Sequence, residues 1–165
     1  MYAASAPGEL AGIAFVAANT PDFRVYPGIT KLAPMIAPTV AAGIAAMVGY
    51  YPGDTLRFLG RQPRALIQDW ARLARTGSFD AIGHGADYSD EMRSVDLPVL
   101  AVSVEGDRMA PPSAVEALVG HLPNARVTRW HCGADDSDGR VVGHIGWIFH
   151  GRRIAEVVGD WLRGL

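Results

Sequence analysis

The sequence has a single cysteine, Cys132, so no intrachain disulfide framework can staple it, and a reducing cytoplasm is the expected compartment. It has a single lysine, Lys31, and a formal net charge of -2 with scattered arginines. That removes the clustered cationic surface that nucleic-acid phosphates require, and no nucleic-acid partner is expected. No basic segment followed by an apolar core opens the chain, so "MYAASAPGEL" does not read as a secretory signal. Residues 32–53 lack charge altogether, a length that raises the question of a membrane span. Pro34 and Pro38 interrupt its first turns and Ala and Gly make up most of the rest. A buried or pocket-covering helical segment fits better, and no stable membrane span is expected.

What is present is an ordinary globular composition, 49% hydrophobic over 165 residues, enough for one domain with a core. "LAGIAFVAA" is a continuous apolar run of strand length, the pattern of a strand buried on both faces of a parallel sheet. "PRALIQDWARLARTG" places Leu66, Ile67, Trp70, Leu73 and Ala74 on one helical stripe that ends at Gly77. "LPVLAVSV" is the clearest strand; a helix capped by Ser113 or a preceding residue follows it. "ARVTRWHC" reads as a strand near the sheet edge. After a long loop, "WIFHGRRIAEVVGDWLRGL" closes the chain with an amphipathic helix built on Ile154, Val157, Val158 and Trp161. "MYAASA" reads as the end of a helix, and 79–96 as polar linker with one short helical turn. Strands alternating with helices indicate parallel α/β units, whose active residues lie beyond the carboxyl ends of the strands.

Two post-strand residues fit a shared task. A histidine acting as general base needs its second ring nitrogen held by an acceptor, and a carboxylate both fixes the tautomer and stabilises the imidazolium. Asp107 follows the clearest strand, with Pro111 and Pro112 stiffening the turn into the next helix, and His144, flanked by Gly143 and Gly146 just before the last helical stretch, has the backbone freedom to enter a cleft. Glu105 is a rival acid, disfavoured because it sits closer to the strand end. No metal or cofactor is expected. Counting "GADDSDGR" as a calcium loop from Ala134 leaves Ile145 where the glutamate belongs, and His84, His131 and Cys132 lack the paired spacing of a zinc site.

The order strand, G-D-x-x-x-P-P, helix, strand, loop, G-H, helix resembles the C-terminal half of an α/β-hydrolase. "VYPG", "GYYPG", "DWARLARTGSF", "DLPVLAVSVEGDRMAPP" and "GHIGW" are similar to bacterial α/β-hydrolases related to serine-aminopeptidase-like and lipase-like enzymes. The resemblance covers essentially the whole chain. It implies a short parallel sheet of about three strands with flanking helices, forming one partial domain over 1–165 with a helical cap insertion over 27–85. It also implies Asp107 as triad acid, His144 as triad base, and a small-molecule acyl substrate.

The pentapeptide G-x-S-x-G that presents the serine in this fold is absent. Ser5, Ser78, Ser103 and Ser137 stand in the wrong contexts, and Cys132 does not replace them. The resemblance therefore places the nucleophile upstream of Met1, and implies an exposed strand edge over 11–18 open to self-association. Two other readings stay open: a non-catalytic binding or membrane-associated module using 32–53, and a half-domain completed by another chain.

Overall fold

The computed structural model of the protein describes residues 7–80 and 88–165. In chain order its main elements are β1 (Ile13–Val16), α1 (Leu32–Val48), β2 (Tyr50–Pro52), β3 (Gly60–Pro63), α2 (Arg64–Thr76), α3 (Tyr88–Arg93), β4 (Pro98–Val104), α4 (Pro112–Val119), β5 (Arg126–Cys132), α5 (Gly143–His150) and α6 (Arg152–Arg163). They fall into two compact units, Met1–Thr20 with Tyr88–Leu165, and Pro21–Asp87. The helix end expected over 1–6, and His84, lie outside the described residues.

The first unit is built on a parallel three-stranded sheet in the order β1-β4-β5. Central β4 is the clearest strand of the sequence because both its faces are covered. Leu100, Val102 and Val104 point to one side, where they join Ala17, Cys132 and Ile154 of α6, with Trp147 and Trp161 packed against them. Ala101 points to the other, against Ala110 and the α4 residues Val115 and Val119. Each fully buried Val or Leu contributes about 1.5–3 kcal/mol relative to leaving it in water. Such burial, rather than local propensity, fixes the register of Val99 opposite both Ile13 and Val127.

The edges depart from expectation. β1 covers four residues and is only partly buried, with Ala14 exposed, because it pairs with β4 alone among the described residues. The last helical stretch is split at Gly151, whose φ of -92° and ψ of 30° leave the helical region. Of the caps expected for α4, Ser113 or a preceding residue, it is the preceding Pro111 that is the N-cap, and Pro112 takes the first helical position, where its missing N–H costs no hydrogen bond.

The second unit packs α1 on α2. Ala41 and Ala45, one turn apart, let α1 approach Tyr51 and Ile67, with Trp70 beside them. Tyr50–Pro52 is half of an antiparallel hairpin, Tyr50 pairing with Pro63 and Pro52 with Arg61. Of the buried or pocket-covering segment expected there, full burial is not found: α1 buries only Pro38, Ala41 and Ala45 and exposes Ile36, Val40, Met47 and Val48. Its open side forms an apolar groove of about 540 Å³ lined by Leu32, Ile36, Val40, Ile44, Tyr51 and Phe58 among others. The helical run Gly28–Val48 is long and apolar enough to cross a membrane by length and composition, which by themselves do not make a span.

One ion pair ties this unit together. The Arg24 guanidinium chelates Asp22 at 2.7–3.1 Å and also donates to the Thr76 carbonyl at 2.6 Å, at the end of α2. The hydrogen bond to Asp22 holds the Arg24 guanidinium above its usual protonation range. Gly77 caps α2 at φ 70°, and a Cβ there would lie 2.5 Å from Asp22 Oδ2.

Candidate active site

The site begins where β4 ends. After Val104 the chain turns through Glu105 and Gly106, which has φ of 75°, and the Asp107 N–H donates back to the Val104 carbonyl at 3.2 Å. The turn drops the Asp107 carboxylate into a fully buried position. A buried carboxylate is tolerated only when its oxygens are satisfied. Here Oδ1 accepts the N–H groups of Met109 at 2.8 Å and Ala110 at 2.7 Å, and Oδ2 meets Nδ1 of His144 at 2.9 Å.

His144 stands in the first turn of α5, not in the loop before it, and its side chain is 26% exposed. An ionised carboxylate can only accept, so Nδ1 carries the hydrogen of this bond and Nε2 is left as the basic nitrogen. The two loops are packed on each other. A Cβ on Gly106 would lie 2.2 Å from Cγ1 of Val141, so only glycine lets the histidine-bearing segment close over the acid turn. The structure thus brings Asp107 and His144, 37 positions apart, into direct contact.

The other candidates go elsewhere. Glu105 does not reach His144; its Oε2 accepts the Ala134 N–H at 2.7 Å. Ser137 is buried with its hydroxyl 3.4 Å from Cys132 Sγ. Ser78 bonds Asp80, and Ser5 lies outside the described residues. Among the described residues no serine or cysteine hydrogen-bonds His144.

One pair escaped sequence reading. Ser103 Oγ meets His131 Nδ1 at 2.8 Å, the two residues being in register across β4 and β5. The alternation of those strands held the signal, but which residue of β5 faces Ser103 depends on the pairing. The pair borders a cavity of about 240 Å³ beside the Glu116–Arg129 ion pair. It is unlike a triad, in which Nδ1 is kept for the acid and Nε2 serves the hydroxyl.

No protein-family model matches the chain. It is 32% identical over 79 residues to the proline iminopeptidase of Lactobacillus delbrueckii subsp. lactis, a match covering 48% of this chain and 24% of that protein. The chain has an α/β fold built on a parallel three-stranded sheet, and its sequence likeness to that peptidase covers about half of it. The chain spans about a quarter of the length of that curated relative. Among solved structures it is similar to a hydrolase from Oleispira antarctica, with a TM-score of 0.49 and 13% identity over 99% of this chain and 60% of that one. It is also similar to an N-acyl homoserine lactone degrading enzyme, with a TM-score of 0.44 and 13% identity over 99% and 61%.

Proposed function

We propose that Asp107 and His144 are the acid and base of a hydrolase that works by acyl transfer on a small-molecule ester, thioester or amide in the cytoplasm, with a serine contributed by sequence outside these 165 residues. Nε2 of His144 takes the proton of the serine hydroxyl as its oxygen bonds to the substrate carbonyl carbon. The carbonyl electron pair moves to oxygen, then returns to expel the alcohol, thiol or amine, which leaves with the proton from Nε2. Water repeats the sequence and releases the acid. Asp107 stays ionised throughout and stabilises the imidazolium. The observation that supports this reading is the buried Asp107 carboxylate, fixed by two backbone N–H groups and aimed at His144 Nδ1.

The test extends the reading frame upstream of Met1 and assays the resulting protein for 4-nitrophenyl acyl ester hydrolysis and fluorophosphonate labelling. His144→Ala should lower kcat by about 10⁶-fold and Asp107→Ala by about 10⁴-fold. Hydrolysis indifferent to His144→Ala sinks the proposal. A second reading, a binding module or a half-domain completed by another chain, is favoured by the open edge of β1 and the exposed face of α1. A stop codon directly upstream, with activity gained only on adding a separate chain, would select it.

A further inference from the structure

We infer that Glu105 is a positioning residue that holds the histidine-bearing segment against the acid turn, an inference that rests on reading Asp107 and His144 as a catalytic pair. Three of its polar atoms are engaged, each with a different part of that segment. Its N–H donates to the Cys132 carbonyl at 2.9 Å, its Oε2 accepts the Ala134 N–H at 2.7 Å, and its carbonyl accepts the Gly143 N–H at 3.2 Å. Cys132 is the last residue of β5, Ala134 opens the connection that leaves it, and Gly143 directly precedes His144. One residue, two positions before the acid, therefore pins both ends of the connection that delivers the base.

The connection itself is stiff enough to transmit that hold. Residues Ala134–Ser137 form a 3-10 turn, the Gly133 N–H is taken by Asp136 Oδ2 at 3.0 Å, and the Gly139 N–H returns to the Ala134 carbonyl at 2.9 Å. Releasing Ala134 frees a compact piece to shift as a body, and His144 rides at its far end. The side-chain bond is the part of the device that substitution can reach. A carboxylate accepting a backbone N–H is shorter and stronger than a neutral pair, in keeping with the 2.7 Å separation. Small displacements matter here because the base must meet both acid and substrate in line.

The test reads the His144–Asp107 bond in the 165-residue chain, through the downfield proton resonance of His144 Nδ1–H, identified by its loss in Asp107→Ala, and its exchange rate with water. Glu105→Ala should speed exchange by about ten-fold, the equivalent of one charge-assisted hydrogen bond, while Glu105→Gln, which keeps an acceptor oxygen, should stay within about two-fold. Ala134→Pro removes the same bond from the donor side. It sits at the first position of the 3-10 turn, after Gly133 in an extended conformation (φ -87°, ψ 178°), where proline is accommodated. It should match Glu105→Ala, and the double variant should be no worse than either alone.

Wild-type exchange in Glu105→Ala, with the chain folded by circular dichroism, overturns the inference, as do additive effects of the two substitutions or the absence of the resonance from the unaltered chain. If Glu105→Ala fails to fold, Ala134→Pro decides by the same readout. In the extended, assayable protein the two readings separate. Hydrolysis indifferent to His144→Ala, with exchange sensitive to Glu105→Ala, overturns the catalytic reading and leaves the positioning role standing. Hydrolysis lost in His144→Ala, with exchange indifferent to Glu105→Ala, overturns the positioning role alone.

Discussion

At Gly106 two demands meet in one residue: a left-handed backbone, and empty space where Val141 enters. They can be separated by substitution. Gly106→Ala should destabilise the chain by about 2–4 kcal/mol, combining backbone strain with steric overlap. Adding Val141→Ala removes the overlap and should leave about 1–2 kcal/mol, the cost of a left-handed non-glycine residue. Urea unfolding of the single and double variants measures both, and strict additivity would show that Val141 is not the obstacle. Asp107 was legible at this scale because strand end, turn and proline pair are consecutive in sequence. Glu105 was legible only as a competing acid, since its partners Cys132, Ala134 and Gly143 come from distant sequence. The Ser103–His131 pair stayed hidden for the same reason, as it requires the β4–β5 register.

Elements announced themselves in proportion to how much of their partner they carry in their own sequence. β4 reads as a strand because burial on both faces demands an unbroken apolar run. The β2–β3 hairpin does not, because Pro52, Pro63, Gly53 and Gly60 give turn signals, and only a short edge pairing tolerates prolines there. For α1, uncharged composition suggested burial, yet the helix meets its neighbours through small alanines and leaves its larger side chains outside. The C-terminus of α2 was legible as Gly77, but the reason for glycine is only half local. Gly77→Ala should cost about 1–2 kcal/mol from the positive φ alone, and also loosen the Asp22–Arg24 pair that a Cβ would strike. Thermal melts of Gly77→Ala and Gly77→Asn test this, with asparagine expected to recover part of the backbone term but none of the steric one.

For the molecule as a whole, the open side of β1 is the feature with the largest consequence in solution. Among the described residues β1 pairs on one side only, and such an edge beside half-buried Ile13, Phe15 and Val16 is a template for another chain. Sedimentation velocity of the 165-residue chain should show association that grows with concentration, and Ala14→Lys, at the exposed position of the strand, should shift it toward monomer. Association unchanged by that charge would place the contact elsewhere, with the exposed face of α1 next to be probed. The second unit is closed on itself where it starts. The Thr20 N–H is bonded to the Ala114 carbonyl of the sheet unit at 3.4 Å, while Asp22 belongs to the Arg24, Thr76 and Gly77 clamp. Asp22 and Arg24 thus stitch the start of the helical unit to the end of its own second helix. Chain closed on itself in this way is a cassette: its loops can lengthen or shorten without disturbing the register of the sheet.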